Sequence, residues 1–426
     1  MKISEPILVY APEMNEKVAR WGAYAIPRMW RDKNGELVIR INGEADSADT
    51  NSMFCLPNLY FVSYDNGENW VMEPDGEKIY DISVLTGIDS PYLSLDNGEK
   101  LFLQYKKNCA EIKNIASQKE IEHPCGEAIM YSYRYGDIPS ACKGISIGKI
   151  DKNGNTKLTE IDFDFPDREI LVNAKAKTEM GEYAAVPQYI QPHIFKLPYM
   201  SSLKQLSDGT LVALCTGQNP NVHDRFSSEV YLVASTDGGN TFTKRALVAG
   251  GNHDQPYGYG GDGGEVSLAV DSRDGLYAVM RMDMSIHPDY DQEKVWGTYF
   301  SASFDGGYTW SEPKEIADSS VTPHILTLKE DILLLIYGRP GVHCKISRDR
   351  GQTWSESYSI IGKTLAQERA DGRRDADSKY FDSCSYSNSF VQKISEDTVI
   401  VCYNDLRYPD KHGIPTKAVF VRTITA

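Results

Sequence analysis

An eight-residue pattern that occurs four times constrains the fold of this chain more than any other feature of its sequence. Residues 303–310 and 347–354 both read S-x-D-x-G-x-T-W. Residues 235–242 carry Phe in place of the final Trp, and residues 63–70 carry Asn in place of Thr. Four copies of a pattern with five specified positions are not expected by chance. We call these four segments the box turns.

Each box turn is predicted to be a tight turn between two antiparallel strands. An apolar run ends at the Ser, the Asp can bond the backbone of the turn, and the Gly supplies a positive φ. The Thr and the aromatic residue begin the next strand. Ser, Asp and Thr then form a hydrogen-bonding frame that the aromatic ring anchors. We therefore expect the four box aromatics to be structural and remote from any substrate.

The spacing of the box turns predicts a repeat architecture. Ser303 and Ser347 are 44 residues apart, which is typical of one propeller blade of about 40–50 residues. Short apolar runs separated by turns recur along the rest of the chain. The sequence therefore predicts an all-β fold, namely a six-bladed β-propeller of four-stranded antiparallel blades. We expect a single domain over residues 1–426, with an insertion at about residues 107–143.

The charge of the chain argues against some classes of partner, and its apolar segments bear on its location. A net charge of −15 and a pI near 5.1 argue against general binding to nucleic acid or to an anionic membrane. No apolar run approaches the length of a membrane span, and the N-terminus lacks an apolar signal segment. We expect a cytoplasmic location, or a secreted one if a signal segment has been removed. The sequence leaves the oligomeric state open.

Cysteine usage and motif content point away from metal or cofactor chemistry. The eight cysteines include no C-x-x-C pair, and Cys215 and Cys402 lie inside strand-like runs, where we expect small buried hydrophobes. The chain contains no P-loop, no H-E-x-x-H and no G-x-S-x-G. We therefore expect neither a cofactor nor a metal.

The box turns are Asp-boxes, and in carrying them the chain resembles the sialidase (neuraminidase) superfamily. The resemblance implies an exo-acting glycoside hydrolase that removes a terminal sialic or other acidic sugar from an oligosaccharide or glycoconjugate, with exo-α-sialidase as the best single expectation. The carboxylate of sialic acid would repel a carboxylate nucleophile, whereas a tyrosine activated by a glutamate avoids that repulsion. Arginines bind the substrate carboxylate, and an aspartate protonates the leaving oxygen.

The resemblance implies three catalytic residues at matching positions. Glu265 opens a strand, as the glutamate of the family does, and Tyr386 opens the last blade within Tyr386-Ser387. The family places its acid in the loop after the second strand of the first blade, which here contains Asp49. Asp46 in the same loop is the alternative acid.

The arginines match the family only in part. Arg281 ends the strand after Glu265, and Arg339 lies shortly before a box turn, as the second and third family arginines do. The first belongs to an Arg-Ile-Pro motif, and here Ala25 takes its place. We name Arg28 as the substitute, although on a strand it would face away from position 25. Arg20 and Arg40 are further candidates.

Two other functions stay open. One is a propeller glycosidase or lyase that acts on another uronic- or deoxy-sugar glycan with different catalytic residues. The other is a glycan-binding propeller without catalysis. The presence of Tyr386 and Glu265 favours an enzyme, and the missing arginine at position 25 separates sialidase activity from the first alternative.

Overall fold

In the structure, a computed structural model, nearly all of the regular secondary structure among the described residues is β-strand. The structure describes residues 1–19, 23–25, 27–43, 56–79, 92–95, 97–105, 116, 119–122, 128–137, 145–163, 169–177, 183–185, 199–219, 227–250, 258–259, 265–283, 297–319, 321–338, 341–363, 367 and 385–426. The chain divides into two compact units, one formed by Met1–Ile82 with Ser319–Ala426 and the other by Ser83–Asp318. No helix among these residues is long and apolar enough to span a membrane.

The strands are numbered in chain order. The first stretch contains β1 (Lys2–Ile3), β2 (Ile7–Tyr10), β3 (Pro27–Arg31), β4 (Leu37–Ile41), β5 (Leu59–Ser63) and β6 (Val71–Met72), followed by the short helix α1 (Gly76–Ile79). The middle stretch contains β7 (Tyr92–Ser94), β8 (Lys100–Tyr105), β9 (Lys119–Glu122), β10 (Ala128–Arg134), β11 (Ile145–Ile150), β12 (Thr156–Phe163), β13 (Glu169–Lys177), β14 (Tyr183–Ala185), β15 (Tyr199–Gln205), β16 (Leu211–Asn219), β17 (Ser227–Ser235), β18 (Thr241–Ala249), β19 (Gly258–Tyr259), β20 (Val266–Val270), β21 (Leu276–Asp283), β22 (Thr298–Ser303) and β23 (Lys314–Ala317). The last stretch contains β24 (Val321–Thr327), β25 (Leu333–Gly338), β26 (Val342–Ser347), β27 (Tyr358–Ser359), β28 (Ser385–Lys393), β29 (Thr398–Asp405) and β30 (Ala418–Thr425). Two single-turn 3₁₀ helices cover Tyr135–Asp137 and Lys329–Asp331.

The unit formed by the two chain ends contains three antiparallel sheets within its described residues. Their strand orders are β3-β4-β5-β6, β24-β25-β26-β27 and β28-β29-β30, and the third sheet is completed by β1 and β2, which both pair with β30. The N-terminal segment therefore supplies the outer strand of the sheet made by the C-terminal segment.

The middle unit contains three equivalent sheets and one additional sheet within its described residues. The equivalent sheets are β7-β8-β11-β12, β15-β16-β17-β18 and β20-β21-β22-β23, all antiparallel. The additional antiparallel sheet joins β9 and β10, from the predicted insertion, to β13 and β14. Six four-stranded blade sheets, three in each unit, give the fold class that the sequence predicts, a six-bladed β-propeller.

The hydrophobic core lies between neighbouring sheets within each unit. Leu232 on β17 and Met280 on β21 belong to one buried cluster in the middle unit, and Ile39 on β4 and Cys402 on β29 belong to another in the other unit. Because each such sheet is covered on both faces, its central strands are nearly continuous apolar runs. Cys215 and Cys402 are buried, as predicted.

The four box turns share the predicted hydrogen-bonding frame. In the third box the Ser303 hydroxyl donates to Asp305 (2.8 Å) and accepts from the Gly307 amide (3.0 Å), while the Thr309 amide and hydroxyl donate to Asp305 (3.0 and 2.6 Å). Burial acts to raise the pKa of Asp305, but hydrogen bonds from Thr309 and Ser303 lower it to about 2. The other three boxes repeat the bonds from Ser to Asp and from the Gly amide to Ser.

The glycine in the fifth position of three boxes (Gly67, Gly239 and Gly307) also approaches a neighbouring sheet of the same unit. Gly307 has a φ of 89°, and a Cβ added to it would overlap Cδ2 of Leu232 on such a sheet. Among the box aromatics, Phe242 is fully buried, whereas Trp70, Trp310 and Trp354 are only half-buried. The anchoring is therefore strongest at the second box.

Candidate functional site

Glu265 and Arg281 form an ion pair at one end of two adjacent strands in the middle unit. Nη1 of Arg281 lies 2.8 Å from Oε1 of Glu265, and the side chains are 26% and 20% exposed. The backbone reinforces the pair, since the Arg281 amide donates to the carbonyl oxygen of Glu265 at 3.0 Å. The pair is thus fixed at both main chain and side chain while remaining accessible to a ligand.

The register of β20 and β21 places these two residues together. Val266 pairs with Met280, so Glu265, directly before β20, lies opposite Arg281. Met280 and Met282 on either side of Arg281 belong to the buried core, and because side chains alternate along a strand, Arg281 projects to the other face. The sequence predicts that Glu265 opens a strand and that Arg281 ends the next. The structure places Glu265 directly before β20 and Arg281 two residues before the end of β21.

Two arginines face each other at the start of β3 in the other unit. Arg28 on β3 is directly paired with Arg40 on β4, and both are half-buried. Nη2 of Arg40 donates to the side-chain oxygens of Asn42 (3.1 Å) and Asn58 (3.2 Å). Arg28 makes no hydrogen bond or ion pair within the described part of the chain, and its Cζ lies 6.0 Å from the ring centroid of Phe390.

The premise that positions 25 and 28 lie on one strand does not hold, because residue 25 does not lie on a strand. Residues 23–25 form a buried turn, and β3 begins only at Pro27. Tyr24 adopts a φ of 57° in this turn, which breaks the alternation of faces on which that premise rests. Ala25 itself is fully buried.

The backbone of Tyr386 lies in β28 beside an irregularity in the strand. Tyr386 pairs with Asn404 of β29, and the next regular pair is Phe390 with Cys402, so four residue steps on β28 match two on β29. Bulges of this kind are common next to active sites, where they redirect side chains. The side chain of Tyr386 lies outside the described part of the structure.

Several predicted site residues lie outside the described residues altogether. These are Asp49, Asp46, Arg339 and Arg20. The described residue before Arg339, Gly338, ends β25 and pairs with Val321 of β24. Beside that pair, Thr322 has a φ of 47°. A left-handed backbone is a strong outlier for a β-branched residue, and such strain is concentrated at functional sites.

A buried lysine that sequence reasoning missed lies close to the turn at residues 23–25. Lys417, directly before β30, is only 6% exposed, and its Nζ donates to the carbonyl oxygen of Ala23 at 2.8 Å. Burial lowers the pKa of Lys417 to about 8. No local motif marks this lysine, because the residue it contacts is 394 positions away in the sequence.

A fully buried asparagine meets the same turn. Nδ2 of Asn404 contacts the carbonyl oxygens of Tyr24 (3.2 Å) and Lys417 (3.3 Å). Asn404 is the residue that pairs with Tyr386. The turn, the buried lysine and the strand of Tyr386 are therefore directly connected.

The described residues contain no group of three or more His, Cys, Asp or Glu side chains arranged to hold a metal ion. His324 is fully buried, with its ring in an edge-on contact of 5.5 Å with Phe390. Its packing matches that of a core residue within the part of the chain that is described.

Comparisons with known proteins support the fold. No family model and no curated protein matches the chain. It is similar to a solved structure of a Dyadobacter fermentans protein of unknown function, with 16% identity, a TM-score of 0.55 and coverage of 100% of this chain and 99% of the other. It is more distantly similar to an α-L-arabinanase of Penicillium chrysogenum (10% identity, TM-score 0.46, coverage 100% and 99%). It is similar to the same extent to the NanB sialidase of Streptococcus pneumoniae (14% identity, TM-score 0.46, coverage 100% and 71%). The similarity to the Dyadobacter fermentans structure indicates a shared fold and no particular substrate.

Proposed function

We propose that the protein is an exo-acting glycoside hydrolase that cleaves a terminal acidic sugar. The observation that carries the proposal is the ion pair of Glu265 and Arg281, which is held at the end of two strands and remains partly exposed. A carboxylate oriented by a guanidinium group and open to solvent can act as a general base. The resemblance of the sequence to sialidases assigns the same two residues to the site.

A second feature supports an anionic substrate. Arg28 and Arg40 lie directly opposite each other, although like charges in this arrangement destabilise a sheet. The guanidinium of Arg28 makes no ion pair or hydrogen bond among the described residues. A carboxylate on the ligand would offset the repulsion and satisfy this group.

The proposed roles follow the resemblance. Tyr386 attacks the anomeric carbon while Glu265 accepts the phenolic proton, and Asp49 donates a proton to the leaving oxygen. Arg281, Arg339 and Arg28 bind the acidic group of the sugar. The covalent intermediate on Tyr386 is then hydrolysed by water.

The identity of the acidic sugar is the finer part of the proposal. A sialoside is the first candidate. The burial of Ala25 at the position of the first family arginine favours a second candidate, a different acidic sugar such as a uronic acid, because one guanidinium expected at a sialic acid carboxylate is missing.

A panel of aryl glycosides tests the proposal: an α-sialoside, a β-glucuronide and a neutral α-L-arabinofuranoside, with wild type, Tyr386→Phe and Glu265→Gln. Tyr308→Phe is the matched control, because Tyr308 is exposed on a box turn. We expect an acidic glycoside to be cleaved by wild type and Tyr308→Phe, and turnover by the other two variants to fall by about 10²–10⁴-fold. An analogue of the cleaved sugar with fluorine on the carbon next to the anomeric carbon, and with a good leaving group on the anomeric carbon, should label Tyr386.

Three results would contradict the proposed function and favour another function or substrate. Cleavage of a non-sialic sugar with Tyr386→Phe still active would favour a glycosidase or lyase with different catalytic residues. Absence of cleavage with retained glycan binding would favour a non-catalytic binding protein. Preferential cleavage of the arabinofuranoside would reject the acidic substrate.

A further inference from the structure

The turn at residues 23–25 is held in a strained conformation by residues that are far away in the sequence. Tyr24 is buried and has a φ of 57°. Such a conformation is unfavourable for a residue other than glycine and persists only where its surroundings determine it. Here the surroundings come from two different sheets of the same unit.

Four hydrogen bonds fix the turn. From the sheet of β4, the carbonyl oxygen of Asn42 accepts from the Tyr24 amide (2.7 Å), and that of Pro57 accepts from the Tyr24 hydroxyl (3.3 Å). From the sheet of β30, Lys417 donates to the Ala23 carbonyl oxygen (2.8 Å) and Asn404 to that of Tyr24 (3.2 Å). The turn thus joins the two sheets through polar contacts.

Burial of the charged Lys417 side chain makes its hydrogen bond to the turn energetically unfavourable compared with an apolar contact. A buried ammonium group loses its hydration, and the lowered pKa of Lys417 means that its surroundings compensate this loss only in part. An apolar side chain of similar volume would fill the same space without that loss. Stability alone therefore does not account for a lysine at this position.

The location of the turn suggests a role for Lys417. Asn404 pairs with Tyr386 on β28, and the turn leads into β3, which carries Arg28. β28 and β3 also contact each other further along, where Nε2 of Gln392 donates to the carbonyl oxygen of Met29 at 3.4 Å. The contacts of Lys417 and Asn404 act on the turn before β3 and beside the start of β28, near the proposed substrate arginine and the proposed nucleophile.

We propose that Lys417 and Asn404 are positioning residues that hold the turn at residues 23–25 and thereby fix β3, with Arg28, relative to β28, with Tyr386. The proposal rests on the proposed function for its catalytic consequence. The mechanical part, protection of the turn by the lysine, stands independently of any activity. A displacement of about 1 Å between a binding group and a nucleophile can lower turnover by about 10²-fold.

The test compares Lys417→Met and Lys417→Arg with a matched control, Lys393→Met. Lys393 also donates to a backbone carbonyl oxygen, that of Thr327 at 3.0 Å, but it lies at the opposite end of β28 and is exposed. The first measurement is native-state hydrogen exchange at the Tyr24 amide. We expect exchange to accelerate at least about tenfold in Lys417→Met, to recover in Lys417→Arg, and to be unchanged in Lys393→Met.

The second measurement is the kinetics on whichever aryl glycoside the wild type cleaves. We expect kcat to fall at least about tenfold in Lys417→Met with KM changed less than about threefold, and Lys417→Arg to recover part of kcat. Unchanged exchange at Tyr24 in Lys417→Met would overturn the proposal, and so would an unchanged kcat in an active enzyme. A wild type inactive on the whole panel would reject the proposed function instead, and the exchange result would still decide whether Lys417 holds the turn.

Discussion

Arg28 and Arg40 lie directly opposite each other on the paired strands β3 and β4. At this separation, with Cβ atoms about 5 Å apart, two cations repel each other. Arg40 is bound to two asparagine side chains, whereas Arg28 has no hydrogen bond or ion pair among the described residues. The sheet therefore contains two arginines that repel each other at one end. Substitution of Arg28 can show whether this residue stabilises the fold or binds a ligand.

Replacing Arg28 by Met should weaken binding of an acidic ligand without destabilising the fold. We expect KM for an acidic aryl glycoside to rise by about 10- to 100-fold, which corresponds to one lost charge-assisted hydrogen bond of about 1.5–3 kcal/mol, and KM for a neutral one to change little. The measurement is steady-state kinetics on both substrates. Arg31→Met is the control, because Arg31 lies on the same strand and donates to the carbonyl oxygens of Gly35 and Lys393. It should lower stability and leave both KM values unchanged; equal changes in the two KM values for Arg28→Met would contradict an anion-binding role.

Replacing Glu265 by Gln should affect activity far more than stability. The ion pair with Arg281 is partly exposed, so its loss should change the free energy of unfolding by no more than about 1 kcal/mol, while turnover should fall by about 10²–10⁴-fold. Urea unfolding and kinetics measure the two effects. Glu99→Gln, which removes a surface ion pair with Lys149 in the same unit (2.6 Å), should change neither by much. Full activity of Glu265→Gln would remove Glu265 from the reaction.

Gly307→Ala should destabilise the fold strongly, and Gly306→Ala only mildly. Both glycines have positive φ, of 89° and 76°, so both substitutions carry a backbone cost of about 1 kcal/mol. Only at Gly307 would the new methyl group collide with Leu232, which adds about 1–3 kcal/mol of overpacking. Denaturant unfolding of the two variants should differ by that amount. Equal destabilisation would show that the contact between sheets at Gly307 relaxes freely.

Among the box aromatics, Phe242→Ala should be the most destabilising. Phe242 is fully buried, and removing such a ring costs about 3–5 kcal/mol. Trp310 is half-buried, so Trp310→Ala should cost less, although it also loses the hydrogen bond from its indole to the Gly307 carbonyl oxygen (3.1 Å). Thermal unfolding of the two variants gives the order. A larger loss at Trp310 would mean that the hydrogen bond outweighs the difference in burial.

Lys417 should make stability increase with pH in the alkaline range. Its pKa is lowered from the usual 10.5 to about 8, so between these two values the unfolded chain binds a proton that the folded protein has released. Stability then rises with pH across this window, by at most about 3 kcal/mol, and the group contributes no slope below about pH 8. The measurement is urea unfolding of wild type and Lys417→Met at about pH 7, 9 and 10. The difference between the free energies of unfolding of the two proteins reports the titration of Lys417. If both free energies change with pH in the same way, the lowered pKa is contradicted.

The sequence predicts the parts of this fold that depend on local chemistry. The turn at Asp305 is set by residues within eight positions of each other, and an apolar run marks the strand that precedes it. Glu265 and Arg281 are predicted from the resemblance to the sialidase superfamily, and the short hairpin between β20 and β21 sets the register that brings them together.

The parts that the sequence does not predict depend on contacts between distant segments. The pairing of β10 with β13 joins Ala128 to Ala176 across an intervening hairpin, and no motif marks either strand. Lys417 and Ala23 are 394 residues apart. The contact between them therefore depends on the tertiary arrangement of β30 and β3, which the sequence does not predict. The left-handed backbone of Tyr24 has the same origin, since nothing in its neighbouring residues requires it.

The pairing of β1 and β2 with β30 has a consequence for how the chain is made. Residues 83–318 form a unit that is continuous in sequence, whereas the other unit combines residues 1–82 with residues 319–426. During synthesis from the N-terminus, β2 leaves the ribosome more than four hundred residues before its partner Val421. The middle unit can therefore begin to fold before β30 is synthesised, and β1 and β2 are among the last strands to acquire their native partner.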